Sequence, residues 1–346
     1  MSKLDYLIIG HGVVGAVLAH QLLDAGKSVM VVDSPKPNTS SEVAAGILNP
    51  VTGKRLTLTW KAHDFFPEAK RYYKWLEKRL DTTLYHSLPL HRVFKSLPDQ
   101  NDWMAKQRDT RYAPFVEEGS VSELDEEHTI NPFGTLKVNN GGRVNVKELI
   151  KCSREYLERI NSFRVDEVSL ADVEVDGSHI TCNSIEANHI IFCTGLDEES
   201  WGFLPFTPMK GEVLQVESTY PRRDEIVIGG CFFCPTDDGL NYAGATYNWR
   251  DVNLEPTDEG KTEILDKLAS FLRHPVRVKE HKAGIRPAVK DRRPLIGKHP
   301  VHKRVYLCSG MGSKGVSMAP YLCKHLIEHI ELGKPLMPEV DLKRYT

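Results

Sequence analysis

The glycine-rich run Gly10-His11-Gly12-Val13-Val14-Gly15 is the first pattern along the chain that can hold a charged ligand. Gly10 permits a tight turn, Gly12 lets the backbone approach a pyrophosphate, and Gly15 lets a helix pack closely on a strand. The free N–H groups and the dipole of that helix attract an anion. The run therefore predicts a turn that binds a dinucleotide. We expect His11 to be a solvent-facing turn residue, with a phosphate contact as the alternative.

The residues around this turn predict the strand–helix–strand unit that it requires. An apolar run at 6–9 precedes the turn, apolar residues at helical spacing follow it, and residues 28–32 predict a second strand. Asp33 closes that strand 18 residues after Gly15, where a carboxylate accepts hydrogen bonds from a ribose diol and repels a 2′-phosphate. This argues against NADP, but the turn does not separate NAD from FAD.

The composition limits the class of protein. The chain has 346 residues, 40% of them hydrophobic, and its 45 Lys and Arg against 47 Asp and Glu leave a formal net charge of -2. This near-balance predicts neither nucleic-acid binding nor attraction to anionic membranes. Seven irregularly spaced Cys predict reduced thiols in a cytoplasmic protein rather than a disulfide framework. We expect no signal peptide, because a strand begins almost at once and Asp5 and Asp24 flank a short apolar region. We expect no membrane span, because no apolar run reaches about 18 residues. The sequence leaves a homo-oligomer open.

The spacing of the His and Cys residues does not predict a metal site. The 14 His show no H-E-x-x-H spacing. The segment Cys231-Phe232-Phe233-Cys234 spells C-x-x-C, but it lies on a predicted strand and has no second pair. Neither a nucleophile elbow nor a Walker loop is present in the sequence. We therefore expect no metal.

Hydrophobic periodicity indicates the elements that must position these groups. Apolar residues at helical spacing predict helices at 62–80, 147–160, 258–273 and 317–332. A continuous apolar run predicts a buried strand at 185–194. Residues 84–135 are mixed in pattern and predicted to be β-rich, and 211–247 predict strands broken by a hairpin turn at 237–239. No repeat or flexible linker divides the chain, so we expect two lobes built from one interdigitated chain.

Five blocks downstream of Asp33 carry a resemblance to a known family. They are, in chain order, 40–48 (SSEVAAGIL), 190–195 (IIFCTG), 235–246 (P-x-x-x-G-x-x-x-x-G-A-T), 283–297 (AGIRPAVKDRRPLIG) and 306–316 (YLCSGMGSKGV). In order and spacing these blocks resemble the D-amino acid oxidase and glycine oxidase family of flavoenzymes. The block at 283–297 is the strongest match, and residues 60–135 match only loosely.

The resemblance implies the cofactor FAD and an α/β (α+β) fold, with a Rossmann-type FAD-binding lobe and a second, β-sheet-rich substrate lobe. It implies an FAD lobe at 1–58, 136–204 and 276–346, and a substrate lobe at 59–135 and 205–275. The residues that it places at FAD are Gly10, Gly12, Val13, Val14, Gly15, Asp33, Ser34, Ser40, Ser41, Ala44, Ala45, Gly46, Ile47, Val165, Thr194, Gly195, Gly284, Arg286, Gly310, Gly312, Ser313, Lys314, Gly315 and Val316.

The same resemblance assigns substrate groups. Arg286 is expected to bind a substrate carboxylate, because a planar and always charged guanidinium makes bidentate contacts that Lys cannot. The alternative is an Arg that bonds backbone carbonyls or a structural carboxylate. Phe232 and Tyr247 are expected on facing hairpin strands beside the substrate, with core packing as the alternative for each. Lys314 lies in the loop expected over the flavin, where the glycine oxidase loop has no Lys. By its charge it would stabilise the reduced FAD, or it would be an exposed loop residue. Arg55 would enter the pocket, or belong to a solvated turn.

The activity that follows is oxidation of the C–N bond of an amino acid or secondary amine, by hydride transfer to FAD with dioxygen as the acceptor. Three alternatives stay open. The chain also resembles the oxidase half of a bifunctional enzyme that modifies tRNA uridine, although it has no basic excess for RNA contacts. A dehydrogenase of imino or N-methyl amino acids would use a quinone instead of dioxygen. A non-catalytic flavin-binding protein is the third alternative.

Overall fold

The side chains of the first strand alternate between two apolar clusters. The structure is a computed structural model that describes residues 3–34, 36–122, 124–176, 179–196 and 201–346. Tyr6 and Ile8 belong to one cluster, and Leu7 and Ile9 belong to another on the opposite face of the sheet. Both faces of the strand are therefore covered, which explains why its sequence is continuously apolar rather than alternating.

The α-helices of the described residues are α1 (Val13–Asp24), α2 (Ser40–Val43), α3 (Ala62–Leu80), α4 (Leu97–Lys106), α5 (Val146–Arg159), α6 (Asp258–Ala269) and α7 (Gly315–Leu332). Short 3₁₀ turns lie at Thr110–Tyr112, Leu170–Asp172 and Leu342–Tyr345.

The β-strands of the described residues are β1 (Leu4–Ile9), β2 (Val29–Asp33), β3 (Ile47–Leu48), β4 (Val51–Thr52), β5 (Thr57–Leu58), β6 (Tyr85–His86), β7 (Leu90–Val93), β8 (Val116–Ser122), β9 (Thr135–Val138), β10 (Gly142–Val144), β11 (Phe163–Val165), β12 (Val173–Asp176), β13 (His179–Cys182), β14 (Ile185–Phe192), β15 (Met209–Ser218), β16 (Ile226–Ile228), β17 (Phe232–Pro235), β18 (Asn241–Gly244), β19 (Val276–Arg286), β20 (Leu295–Lys298) and β21 (Val305–Ser309).

The first sheet is mainly parallel and carries the predicted dinucleotide turn. Its strand order is β11-β2-β1-β14-β13-β12, and β21 pairs with both β14 and β20. The pairs β1–β2, β1–β14, β2–β11 and β14–β21 are parallel, so these strands end at the same edge. A sheet of this kind binds ligands beyond the carboxyl ends of its strands. The expected α/β fold with a Rossmann-type sheet is confirmed.

The second sheet also has eight strands and is mainly antiparallel. Its strand order is β19-β15-β18-β17-β16-β7-β9-β8. One of its faces packs with α6 in a third apolar cluster, which includes Leu214, Phe233 and Phe271. Two small sheets, β3-β10-β6 and β4-β5, lie beside these main sheets. The expected second lobe rich in β-sheet is therefore present.

Two elements bear on the expected lobe boundaries. The sequence places 276–346 with the FAD lobe, but β19 hydrogen-bonds along β15 in the second sheet. It places α3 with the substrate lobe, but α3 packs against α7, and its buried face joins the cluster of α1 and α7. Because sheet membership follows hydrogen bonding, we propose that the chain returns to the first lobe after Arg286 and that α3 belongs to that lobe.

The predicted helices agree with the structure to within a few residues, except in the segment at 84–135. That segment was expected to be mixed and β-rich. It contains β6, β7 and β8 as expected, and in addition α4, which was not predicted. Ser96 caps this helix by accepting a hydrogen bond from the N–H of Asp99 at 3.3 Å, and Pro98 stands in its first turn. Trp103 anchors the helix by complete burial. No helix among the described residues is long and apolar enough to cross a membrane.

Packing of α7 should dominate the stability of the first lobe. Leu322 is fully buried in α7, whereas Leu332 at the end of the same helix is 67% exposed. We expect Leu322→Ala to lower the free energy of unfolding by about 2–5 kcal/mol, because it leaves a cavity. Leu332→Ala should change it by less than about 0.5 kcal/mol. Denaturant unfolding at equal FAD occupancy measures both, and equal losses would contradict this packing.

Candidate active site

The carboxyl ends of β1, β2, β14 and β21 open into one large cavity. The register pairs Ile9 with Val32 and with Phe192, so the loops that follow these strands start side by side. Gly10, Thr194 and Gly310 lie in those loops and line a cavity of about 1400 Å³. This volume exceeds the usual range of small-ligand pockets, about 300–1,000 Å³. It is large enough for a dinucleotide together with a substrate.

The glycine turn has the geometry that a pyrophosphate requires. Gly10 has φ +99, and a Cβ on it would lie 2.8 Å from the carbonyl oxygen of Cys193. A Cβ on Gly15 would lie 1.9 Å from the carbonyl oxygen of Gly10, so the helix sits directly against the turn. Gly12 is the N-cap of α1 and provides no side-chain cap, and it lines the cavity. The first N–H groups of α1 therefore suit an anion.

Asp33 faces the cavity at the end of β2. Its Oδ1 accepts a hydrogen bond from the backbone N–H of His11 at 3.0 Å. Burial raises the pKa of its carboxyl group above the ordinary value, while the His11 N–H opposes that shift. One carboxylate oxygen thus holds the turn, and the other can accept a hydrogen bond from a ribose hydroxyl. Val165 pairs with Asp33 in the sheet, but its side chain is 57% exposed and does not line the cavity.

The expectation of a solvent-facing His11 is wrong. Its side chain is buried, and its Nε2 lies 3.0 Å from Oγ of Ser153 on α5. His20 on α1 makes the same contact at 3.0 Å, so two imidazoles share one hydroxyl. Burial lowers the pKa of His11 to about 4 and that of His20 to about 3. Both rings are therefore neutral at pH 7 and supply no charge to a phosphate.

The second predicted cofactor segment passes along the cavity. Ser41 Oγ accepts a hydrogen bond from the N–H of Val13 at 3.0 Å, which ties this segment to the start of α1. Gly46 has φ +74, and a Cβ on it would lie 1.9 Å from the carbonyl oxygen of Val144. Opposite, the buried Oγ1 of Thr194 has no hydrogen-bond partner among the described residues. These features fit FAD, which would provide a hydrogen-bond partner for the Thr194 hydroxyl.

The cavity brings together most of the residues that the sequence placed at FAD. Those that line it are Gly10, Gly12, Val13, Val14, Asp33, Ser34, Ser40, Ser41, Ala44, Ala45, Gly46, Ile47, Thr194, Gly195, Gly284, Arg286, Gly310, Gly312, Ser313, Lys314, Gly315 and Val316. Gly15 and Val165 do not line it. Gly15 acts instead on the packing of α1, and the contact of Val165 with the cofactor stays a prediction.

Arg286 lies at the end of β19 and reaches over β15. A Cβ on Gly211 would lie 2.1–2.2 Å from the guanidinium atoms, so only a glycine leaves room for them. Nη1 donates to the carbonyl oxygens of Thr246 at 3.2 Å and Lys210 at 3.4 Å. The Cζ atom lies 4.8 Å from the centre of the Tyr247 ring. Burial lowers the pKa of Arg286, but not enough to remove its charge at neutral pH.

Phe232 and Tyr247 both line the cavity, but only Phe232 is on a strand. The sequence expected them on facing hairpin strands, and this is wrong for Tyr247 because β18 ends at Gly244. Tyr247 lies beyond that end, 56% exposed, where its ring stacks with Trp249 at 6.3 Å. Phe232 packs against the main core and reaches over Gly244. Tyr247 therefore lies at the rim of the cavity, whereas Phe232 lies on the strand that borders it.

Lys314 is largely buried, and it is not the exposed loop residue given as the alternative. Its Nζ donates to Oγ1 of Thr59 at 2.9 Å and to Oγ1 of Thr52 at 3.2 Å. Burial lowers the pKa of its ammonium group to about 8. Arg55 is exposed and does not line the cavity, which agrees with the solvated turn, whereas its neighbour Lys54 does line it.

Sequence reasoning missed several polar residues that line the cavity or hold the residues lining it. Thr52 and Thr59 hold Lys314, Ser153 holds His11, and Arg92 on β7 lines the substrate side. These residues stand in no motif, and Arg92 belongs to the stretch that matches the family least. Alternation along β7 places Leu90 and Arg92 on one face, but it does not show that this face borders a cavity.

The structure combines a dinucleotide-binding turn on a parallel sheet with a β-rich lobe that presents a largely buried arginine. This combination defines a two-lobed dinucleotide-dependent oxidoreductase. The model of the FAD dependent oxidoreductase family (DAO) matches residues 5–329, so the chain belongs to that family and its cofactor is FAD.

Known proteins of several activities are similar to this chain. Glycine oxidase of Bacillus subtilis is 22% identical over 91% of this chain and 90% of its own. The tRNA 5-methylaminomethyl-2-thiouridine biosynthesis bifunctional protein MnmC of Marinobacter nauticus is 28% identical over 51% of this chain and 31% of its own. The crystal structure of iminodiacetate oxidase from Chelativorans sp. BNC1 has a TM-score of 0.75 at 22% identity, covering 99% and 98% of the two chains. That structure shows the fold.

The tight contact at Gly15 should control FAD affinity. We expect Gly15→Ala to weaken FAD binding by about tenfold or more, because the added methyl group must displace α1 from the turn, and overpacking costs about 1–3 kcal/mol. Gly26→Ala is the control, since its Cβ would meet nothing within 4 Å. Its positive φ still costs about 1–2 kcal/mol of stability. Titration of the apoprotein with FAD measures both affinities, and equal dissociation constants would contradict this role of Gly15.

Proposed function

We propose that this chain is an FAD-dependent oxidase of the C–N bond of an amino acid or secondary amine that carries a carboxylate. The observation that carries the proposal is the guanidinium of Arg286, which faces the cavity from a largely buried position. Among the described residues no carboxylate lies within salt-bridge distance of it. A buried charge without a counter-ion is costly unless a ligand supplies one.

The contacts of Arg286 leave some of its donors free. The two carbonyl oxygens both engage Nη1, and the Tyr247 ring covers one face of the guanidinium. No described residue hydrogen-bonds to Nε or Nη2. A substrate carboxylate can therefore bind in the plane of the fork, as bidentate pairs do. This contact would orient the amine-bearing carbon of the substrate toward the cofactor.

FAD supplies the hydride acceptor when it is bound. Arg286 holds the substrate, and Lys314 places a positive charge where α7 begins, at the edge of the cavity. The N-terminus of α7 and this ammonium group both favour negative charge on the reduced cofactor. Dioxygen as the final acceptor is proposed by analogy with the glycine and iminodiacetate oxidases. The named substrates of both relatives are amines that carry a carboxylate, which supports the same substrate class here.

Removal of the Arg286 fork should abolish use of carboxylate amines. We expect Arg286→Met to lower kcat/KM by at least about 100-fold, since a hydrogen-bonded charge pair contributes about 1.5–3 kcal/mol and its loss leaves the substrate carboxylate unpaired. Arg286→Lys should recover only part, because an ammonium makes no bidentate pair. The measurement is anaerobic bleaching of the flavin band by glycine, sarcosine, D-amino acids and proline. Comparing the rates at which air and a quinone reoxidise the reduced flavin then identifies the acceptor.

Arg293→Met is the matched control, because Arg293 lies 4.6 Å above the Trp60 ring and does not line the cavity. It should retain wild-type kinetics. A protein whose bound flavin is bleached by no amine would contradict the proposed activity, and so would an Arg286→Met variant with unchanged kcat/KM.

Lys314 should give flavin reduction a dependence on pH near 8. Below its pKa of about 8 the ammonium is charged and favours the reduced cofactor, and above that value it is neutral. We therefore expect the flavin midpoint potential of the wild type to exceed that of Lys314→Met at pH 7, with the difference shrinking as the pH passes through about 8. Lys54→Met, which removes an exposed cavity lysine, is the control. A difference that is constant from pH 7 to 9 would contradict this role.

A second candidate substrate is an amine attached to a larger planar group, such as a modified base. The exposed and stacked pair of Tyr247 and Trp249 at the rim favours it, because such rings stack on a base. The partial similarity to the tRNA-modifying protein points the same way. In the same bleaching assay, an aminomethyl nucleoside that outperforms every free amino acid would select this candidate.

A further inference from the structure

A row of residues crosses the second sheet beneath the cavity. Arg92 on β7 is aligned with Ile228 on β16, which is paired with Phe232 on β17. Phe232 is paired with Gly244 on β18, and Gly244 with Val213 on β15. Directly paired residues point to the same face of a sheet, and all five line the cavity. One face of the second sheet is therefore the floor of the substrate side, with Arg92 at its far end.

Arg92 and Arg286 occupy opposite ends of this floor. The guanidinium of Arg286 lies over Gly211, two residues from Val213 on β15. Four inter-strand steps separate β15 from β7, or about 19 Å between backbone positions at the usual spacing. The inward reach of the Arg92 side chain shortens this gap. A ligand that contacts both guanidinium groups must still be longer than a free α-amino acid.

The guanidinium of Arg92 has no protein partner among the described residues. No hydrogen bond and no salt bridge reaches it, although it is largely buried and burial lowers its pKa. The charge of Asp99 opposes the lowering of the Arg92 pKa, but the two side chains form no salt bridge. Oδ2 of Asp99 accepts a hydrogen bond from the N–H of Lys95 at 3.3 Å. Arg92 thus resembles Arg286 in being a buried cation that borders the cavity without a counter-ion.

The charges around Arg92 are also suited to an anion. Nζ of Lys95 lies 3.6 Å from the position that a Cβ on Gly230 would take, and both residues line the cavity. Lys267 lines it as well, and pairs with Glu263 outside the lining. The carboxylates that line the cavity among the described residues all lie outside the strands of the second sheet: Asp33, Glu42, Asp166 and Glu167. The floor therefore presents cations without acids.

We propose that Arg92, with Lys95 beside it, forms a second anion-binding subsite that selects amines carrying a second anionic group, a carboxylate or a phosphate, at the end remote from Arg286. The subsite deepens the proposed function, because it names the class of amine that this cavity would oxidise. Arg286 would bind the carboxylate next to the reacting carbon, and Arg92 would bind the distal group. The Phe232 ring lies between them and would contact the apolar part of the chain.

Binding of non-oxidisable acids to the FAD-loaded protein tests the subsite without turnover. The probes are α,ω-dicarboxylates from succinate to suberate, monocarboxylates of matched length, and the corresponding ω-phosphono acids, followed by flavin absorbance or calorimetry. We expect at least one of the longer dicarboxylates or phosphono acids to bind more tightly than its monocarboxylate. Arg92→Met should weaken that binding by about 10–100-fold, the usual effect of losing a charge-assisted hydrogen bond. Monocarboxylate affinity should not change.

The controls separate the subsite from general charge effects. Arg277→Met removes the same charge from an exposed position on β19 that does not line the cavity, and should leave every affinity unchanged. Arg92→Gln repeats the test if the Met variant takes up no FAD. A dominant phosphono acid would identify phosphate as the distal group, and a dominant dicarboxylate would identify a carboxylate. Equal affinities for mono- and dianions, or an Arg92→Met effect no larger than that of Arg277→Met, would overturn the proposal.

The two proposals fail in different ways. A wild type that binds dianions through Arg92 but whose flavin no amine bleaches would refute the amine oxidase and leave the subsite standing. A wild type that oxidises sarcosine, and whose affinity for dianions does not depend on Arg92, would refute the subsite and leave the oxidase standing. If both hold, Arg92→Met should raise KM for amines that carry a distal anion and leave the kinetics of sarcosine unchanged.

Discussion

The parallel hydrogen bonding of β1 to β2 on one side and to β14 on the other is the constraint on which the site depends. This pairing brings the ends of three strands, and through β14 the end of β21, to a single edge. The glycine turn, the acid at Asp33 and the loop at Thr194 then start from neighbouring positions. A slip in register would separate them, because each loop is placed by the strand before it. The apolar residues on both faces of β1 maintain that register.

The second sheet places a different kind of group against the same cavity. Its long strand pair β15–β19 carries Arg286 to the edge of the cofactor site, and Gly211 provides the space in which the guanidinium lies. The first sheet thus presents a dinucleotide-binding turn to the cavity, whereas the second presents cations to it. The cavity combines the two functions because the first sheet presents the carboxyl ends of its strands to it and the second sheet presents one face.

Several polar groups at the cavity lack the partners that a folded protein normally provides. Arg286 has no carboxylate, Lys314 is held by two neutral hydroxyls, and the hydroxyl of Thr194 has no partner among the described residues. Buried groups of this kind reduce stability unless something satisfies them, and proteins tolerate such costs mainly where they function. By contrast, burial keeps His11 and His20 neutral, and Nε2 of each ring contacts the hydroxyl of Ser153, so these two residues are structural.

The sequence by itself determined the features that depend on residues close together along the chain. The spacing of the glycines, the acid after β2 and the apolar periodicity of α3 and α7 each predict a local element, because helix and strand have fixed repeats. Arg286 could likewise be placed from the motif of its block, whereas Lys314 was proposed from its position in the loop and not from a family motif. What only the tertiary structure decided is which groups meet. His11 is buried by Ser153, 142 positions away, and Tyr247 lies past the end of its strand. Arg92 faces the cavity because its strand joins the second sheet through β16. Such contacts depend on how distant elements pack, and no local pattern encodes that packing.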